Sequence, residues 1–220
     1  GIRRLELEAL RPDSAAMVQL LPLARRRGLE TALTDTDVTL EMPLPADWDD
    51  YLLDLTAHQR HEIKRKTRRL AEAGRLEFDI KESEDVAGDL AELIRLLRLS
   101  RRDKAEFMSA EMEQFFYRMA VAMHSGGWLK FGHLRLDEPV VAGVMCFDYN
   151  KTRYLYNSGY EPEFSRLSVG LLSKVFSIQE AVAWQLRRYD FLKGAEVYKY
   201  HLGGQEMAVS RARIELTGGK

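Results

Sequence analysis

The spacing of apolar side chains changes along this chain from alternation to a period near 3.6 and back, and each change marks an element. Ile2, Leu5, Leu7 and Leu10 predict a short strand over residues 1–10. Asp13 or Ser14 then caps a helix that runs to about Arg27, where Gly28 stops it. The β-branched run over 31–44 predicts a strand that turns at Pro43 and Pro45. Asp47 caps a helix carried by Trp48, Leu52 and Leu55. Residues 57–73 form a further helical run in which Ile63 and Leu70, one heptad apart, give a thin apolar stripe, and Gly74 ends it.

Residues 76–80 alternate as a strand. Val86, Leu90, Leu93, Ile94 and Leu97 keep a helical period, and a second helix begins at Ser109 and ends at Gly126-Gly127. Three strands follow closely, over 128–136, 140–149 and 153–159. The short turns Asp137-Glu138 and Asn150-Lys151 predict that they pair as antiparallel hairpins. A polar loop over 160–167 leads to a helix from Ser168 to about Arg187, with Leu171, Leu172, Val175, Phe176, Val182 and Leu186 inward. Residues 189–192 and 209–216 are the last strands. The class is α+β, or α/β by looser naming: a mixed, mostly antiparallel sheet flanked by helices, with one crossover helix joining parallel neighbours after Gly159.

Composition narrows the role. A formal net charge of −1 gives no global field toward nucleic acid or membrane, so such a role has to come from a local patch. One cysteine, Cys146, excludes an internal disulfide and a CxxC metal site, and its apolar surroundings read as a buried small hydrophobe. His58, His61, His124, His133 and His201 lack metal-ligand spacing, so no metal is expected. No run approaches a membrane span and no signal peptide is visible, which reads as cytoplasmic. GxSxG, Walker and GxGxxG patterns are absent.

Three segments carry candidate chemistry. Ser165-Arg166-Leu167-Ser168-Val169-Gly170 opens a helix, and a helix start offers free N–H groups and partial positive charge to a phosphate. Ser168 is its N-cap, Gly170 permits close approach and Arg166 adds charge; ordinary capping explains Ser168 equally. In the second segment Asp190 stands in a strand between aromatics, as a buried hydrogen-bond anchor or a site residue. Lys193, Tyr198, Lys199, Tyr200 and His201 follow it. Lys199 binds phosphate or carboxylate if it faces a cleft, and is a surface lysine otherwise. Tyr198 or Tyr200 is placed to protonate a leaving group, or the aromatics form a lid over the sheet edge. The third segment holds six Lys/Arg from Arg60 to Arg69, with Arg60, Lys64 and Arg68 on one face. It reads as a phosphate-binding strip for tRNA, a nucleotide or an anionic surface, or as a solvated face balanced by nearby acids. Glu161 is a loop carboxylate with the makings of a general base, and Asn157, Ser158 and Tyr160 end a central strand where polar substrate contacts fit.

The order basic helix, strand, two helices, three antiparallel strands, helix, strand and Tyr-Lys segment resembles the GNAT superfamily. Within it the chain is similar to the CelD/BcsL-type acetyltransferases related to the FemABX peptidoglycan-bridge transferases. The residues that carry the likeness are the 60–69 helix, Tyr154-Leu155-Tyr156-Asn157-Ser158-Gly159-Tyr160, Ser168-Val169-Gly170, Tyr189-Asp190-Phe191-Leu192-Lys193-Gly194 and Tyr198-Lys199-Tyr200. The resemblance implies a GNAT fold that binds acetyl-CoA or another acyl-CoA where two parallel strands part, with pantetheine along 154–160 and phosphates at 168–170. The chain departs from the usual Arg/Gln-x-x-Gly-x-Gly/Ala phosphate loop, to which Arg166 and Gly170 only approximate, and Ala195 interrupts the Gly-Asp/Glu step before Glu196.

The expected activity is N-acyl transfer to an amine or hydroxyl of a small-molecule or cell-envelope acceptor, in envelope or polysaccharide metabolism. Asp190 or Glu161 is the base, and Tyr198 or Tyr200 the acid. Asn157, Ser158, Tyr160, Arg166, Ser168, Gly170 and Lys199 hold the cosubstrate. The alternatives are peptide transfer from aminoacyl-tRNA, bound through the 60–69 helix, and a non-catalytic module of a polysaccharide-synthesis assembly. Residues 1–74 are read as an arm with a strand and the basic helix, and 75–220 as the acyltransferase core. The start at Gly-Ile-Arg, and the paired domains common in that branch, imply a preceding GNAT-like half.

Overall fold

Eight extended runs pair into one sheet in a computed structural model that describes residues 2–216. They are β1 (Arg4–Leu10), β2 (Thr31–Pro43), β3 (Leu76–Lys81), β4 (Leu129–Leu136), β5 (Val140–Tyr149), β6 (Thr152–Tyr160), β7 (Arg188–Lys193) and β8 (Gln205–Glu215). Their order is β1-β8-β2-β7-β6-β5-β4-β3. Every neighbouring pair is antiparallel except β6 and β7, so the expected class and the parallel crossover after Gly159 both hold. The hairpin turns hold as well: Asp137, Asn150 and Lys151 take left-handed backbone angles that tight turns between twisted strands demand.

Eight α-helices flank the sheet: α1 (Leu21–Arg26), α2 (Trp48–Asp54), α3 (Ala57–Ala71), α4 (Val86–Ser100), α5 (Arg102–Phe107), α6 (Ala110–Ser125), α7 (Val169–Ala183) and α8 (Val197–His201). On one face, α7 with α2 and α3 covers a core that includes Val144, Leu155, Val169, Leu172, Ile178 and Tyr189. On the other, α4 and α6 close over Leu93, Leu97, Phe116, Phe131 and Met145. A third, smaller cluster packs α1 and the turn before it on β1 and β8 through Leu21, Ala24, Ala212 and Ile214. Thr56 and Gln59 cap the start of α3 reciprocally, side chain to backbone in both directions.

Several sequence expectations shift. The first helix begins as a π-helical turn, Ala16–Leu20, and Ser14 is the capping residue of the two, its hydroxyl accepting from the Met17 amide at 3.4 Å. The expected polar loop after Tyr160 is a 3₁₀ turn, Pro162–Leu167. The crossover helix ends at Ala183 rather than near Arg187, because Gln185 enters the left-handed region and the chain turns into β7. The α5 helix was not anticipated, since its sequence has no apolar stripe. The segment 1–74 supplies β1 and β2, which join the same sheet as the rest.

The close approach of α4 to β6 is set by Gly159. A Cβ there would lie 2.5 Å from both the backbone carbon of Leu96 and the backbone nitrogen of Leu97. Gly159→Ala must therefore lift the helix from the strand, since no rotamer change relieves a backbone clash. We expect a loss of about 3 kcal/mol, measured as a shift of the urea unfolding midpoint.

Candidate active site

Both strands of the parallel pair carry an extra residue just where they part. β6 and β7 pair only at Thr152↔Arg188, Arg153↔Tyr189 and Tyr154↔Asp190. In β6 the register against β5 moves from Leu155↔Cys146 to Asn157↔Met145, so Tyr156 is a bulge. In β7 the register against β2 moves from Asp190↔Glu41 to Lys193↔Thr39, which again inserts one residue, with Leu192 at a φ of 59°. Beyond these bulges a cleft of about 400 Å³ opens beside the end of β6, walled by α7, α8 and the approach to α5.

Asp190 holds the β7 bulge. Its side chain is buried, and Oδ1 accepts from the Leu192 amide at 2.7 Å and from the Thr39 hydroxyl at 3.1 Å, while Arg11 donates to Oδ2 at 3.3 Å. Burial pushes its carboxyl above the ordinary range. Asp190 does not line the cleft, so the structure gives it the hydrogen-bonding position of the two its sequence allowed. Glu161 pairs with Arg95 and likewise stays outside the cleft.

Lys199 is also turned inward. Its ammonium donates to the carbonyls of Leu192, Lys193 and Gly194 at 3.1, 2.8 and 3.0 Å, and Glu196 lies 2.9 Å away. It clamps the end of β7 and the turn into α8, where Leu192 and Gly194 hold left-handed angles. Tyr198 and Tyr200 part company. Tyr198 lines the cleft, and burial raises its phenol well above the usual range. Tyr200 points elsewhere and donates to Glu206.

The cleft wall on the β6 side is Ser158 and Tyr160. Asn157 lies just behind, its Oδ1 accepting from the Ser158 amide at 2.9 Å. At the start of α7, Ser165, Ser168 and Gly170 line the cleft, while Arg166 is exposed outside it. Ser168 does not cap through its side chain. It sits at a φ of 59°, and its carbonyl takes the amides of Leu171 and Leu172. The amides of Val169 and Gly170 have no backbone acceptor, which leaves two donors at the positive end of the helix. A Cβ on Gly170 would meet the Tyr160 ring at 2.7 Å, so the glycine lets that ring lie on the helix start.

Four cations also line the cleft: Lys66, from the basic strip the sequence singled out, and Arg101, Lys104 and Lys174, which sequence reasoning passed over. Lys66 comes from the basic helix α3. Three others of that helix are engaged: Arg60 donates to the carbonyl of Leu52 at 3.1 Å, Arg65 binds Glu62 and Arg68 faces Glu72. Lys104 rides on α5. Lys174 had a readable signal, because it shares one helix face with the inward Leu171 and Ile178. Cys146 is fully buried and its thiol is pushed up to about 12. No helix among the described residues is long and apolar enough to cross a membrane.

A family model described as an acetyltransferase (GNAT) domain matches residues 57–200. No curated protein matches by sequence. Among solved structures the chain is similar to FemX, with a TM-score of 0.68 and 11% identity over 96% of this chain and 71% of that one. It is similar to the C-terminal domain of a putative lysylphosphatidylglycerol synthetase from Agrobacterium fabrum, with a TM-score of 0.62 and 13% identity over 96% of this chain and 67% of that one. It is also similar to L-PGS from Bacillus licheniformis, with a TM-score of 0.57 and 10% identity over 89% and 64%. At these identities the likeness is one of fold.

Proposed function

The chain belongs to the acetyltransferase (GNAT) domain family, and from that premise we propose that it is an N-acyltransferase taking its acyl group from a thioester. The donor is acetyl-CoA or another acyl-CoA, and the acceptor an amine or hydroxyl of a small molecule or cell-envelope component, as in the CelD/BcsL-type branch. A preceding half of similar fold belongs to the same reading. The observation that carries it is the cleft at the end of β6, past its last pairing with β7, which runs from the two free amides at the start of α7 to Ser158 and Tyr198. Its volume suits the end of a pantetheine arm and its acyl group.

In this reading the acceptor nitrogen attacks the thioester carbonyl, a C–N bond forms and the C–S bond breaks. The nitrogen gives up one proton and the leaving thiolate takes one, so a proton passed from the cleft to sulfur is replaced by the one the nitrogen releases. Tyr198 lines the cleft and keeps its phenolic proton at neutral pH, because burial disfavours the phenolate. A backbone N–H of the 157–160 strand polarises the carbonyl. Asp190 and Lys199 serve by holding β7 and its turn in shape, which makes them positioning residues. Lys66 at the cleft and the likeness to FemX favour a second donor, aminoacyl-tRNA, whose phosphates would follow α3.

Calorimetric titration of acetyl-CoA, with free CoA and ATP as controls, tests the reading. Saturable binding of acetyl-CoA that Gly170→Glu abolishes is the expected result. Absence of binding, together with salt-sensitive tRNA binding that Lys64→Glu/Lys66→Glu removes, would transfer the donor role to aminoacyl-tRNA. Absence of both would leave a non-catalytic module.

A further inference from the structure

Two of the four cleft cations already have acids. Lys66 lies 3.6 Å from Glu62, and Arg101 lies 2.6 Å from Asp103. The other two have none within 4 Å among the described residues. Lys104 donates to the carbonyl of Ser158 at 2.6 Å and faces Asn157 Oδ1 at 3.4 Å. Lys174 is 7% exposed, donates to the carbonyl of Gly170 at 2.6 Å and stands 5.1 Å from the centre of the Tyr198 ring. The one acid lining the cleft, Glu196, is taken by Lys199 at 2.9 Å.

A buried ammonium such as that of Lys174 with only neutral carbonyls around it is costly, and the half-buried Lys104 beside the same cavity adds to the cost, since each repels the other. Burial, then Lys104, brings the Lys174 amine down to about 7, and burial with Arg101 lowers Lys104. A fold that needed only packing here would place leucine or methionine on α7. The two lysines also enter from different elements, Lys104 from α5 over the end of β6 and Lys174 from α7 beside α8. What the cavity lacks is negative charge between them.

We propose that Lys104 and Lys174 form a carboxylate-binding site inside the cleft, and that the carboxylate belongs to a substrate, either on the acyl chain of the donor or on the acceptor. The proposal rests on the acyl-transfer reading for what else lies in the cleft, and it assigns to that reaction an acidic substrate. The acid supplies the missing counter-charge, forms charge-assisted hydrogen bonds with both ammoniums and excludes neutral analogues that would leave them unpaired.

Binding is then linked to protonation. The groups facing Lys174 are Lys104 and Arg101 from α5 and its approach, Lys66 from α3, Glu196 and Tyr198 at α8, and Cys146 from β5. Of the groups at the cleft, Lys174 is brought to about 7. Above that pH the carboxylate has to draw a proton onto Lys174, so affinity falls as pH rises, by up to about tenfold per unit.

The test uses two pairs of probes on the full chain. Succinyl-CoA and butyryl-CoA differ by a carboxylate against a methyl group and are compared by calorimetry. Succinate and succinamide are compared by the lysine side-chain NMR signals. An acid carried by the donor makes succinyl-CoA bind about tenfold tighter than butyryl-CoA. An acid carried by the acceptor leaves the two acyl-CoAs equal, while succinate and not succinamide moves the Lys104 and Lys174 signals. Either preference disappears in Lys104→Met and Lys174→Met and weakens from pH 7 to pH 8.

Equal binding of the acyl-CoAs, with both lysine signals unmoved by succinate, overturns the carboxylate site and leaves the thioester donor standing. Succinate binding at both lysines without binding of any acyl-CoA keeps the site and overturns the thioester donor. Lys174→Met keeps the bulk of the side chain and removes a desolvated charge. The folded-state amine lies below the ordinary value of 10.5, so the unfolded chain holds the extra proton between those values and stability rises with pH there. The methionine variant therefore melts no lower than the parent at pH 7.

Discussion

Replacing Arg153 by methionine is expected to lower the stability of the fold by about 3–5 kcal/mol, the cost of leaving a buried charge without its partner. Arg153 is fully buried in β6. Its guanidinium meets both oxygens of Asp148 at 2.8 and 2.7 Å, donates to the carbonyl of Ser177 on α7 at 2.9 Å and lies 5.0 Å from the Trp184 ring. Methionine replaces the stem but leaves Asp148 and the Ser177 carbonyl unanswered. Urea unfolding measures the loss. The double variant Arg153→Met/Asp148→Leu should recover a good part of it, because removing both members of a buried pair is far less harmful than removing one. A double variant as unstable as the single one would mean that packing around Trp184, and not the charge, governs this position. Arg153 also ties β6 to α7, the two elements that bound the cleft, so acyl-CoA affinity should fall along with stability.

Lys199→Met should cost a comparable amount, about 3 kcal/mol, and should act on one turn. The variant leaves three carbonyls and Glu196 without their donor. Leu192 and Gly194 hold left-handed backbone angles that the ammonium helps to fix. Hydrogen exchange should quicken across residues 192–198 well before the rest of the sheet responds. Acyl-CoA binding should weaken too, since Tyr198 follows this turn. Lost turnover in a Lys199 variant would therefore report a collapsed turn. Unchanged exchange with lost binding would instead show that Lys199 leaves the carbonyls and meets the ligand directly.

The strands and helices with a clear apolar period were legible because alternate or every-third-and-fourth burial is what the sheet and its covering helices impose. The hairpins of β4, β5 and β6 followed from two-residue turns whose residues do adopt left-handed angles. The direction of individual side chains was not legible. Asp190, Lys199 and Tyr200 lie within a few residues of the cleft along the chain, yet partners distant in sequence, Thr39, Arg11 and Gln59 among them, fix where their segments point. The α5 helix was hidden because it buries little, and Lys104 was hidden with it. Lys174 was visible in principle as a lone cation on an apolar helical face.

The bulge at Tyr156 has a consequence in the arithmetic of odd and even positions. Before it, the odd residues Arg153 and Leu155 face α7. After it the even ones do: Tyr160 lies on Gly170, while Gly159 is pressed against α4. β5 keeps its parity opposite this bulge, with Ala142, Val144 and Cys146 on the α7 side. One supernumerary residue thus decides which half of the strand's end is offered to a ligand. Were Tyr156 to take a regular paired place instead, every later residue would slip by one, Ser158 and Tyr160 would turn toward α4 and glycine would face the cleft. A point substitution can alter the character of that wall, but only a change of register can exchange its two sides.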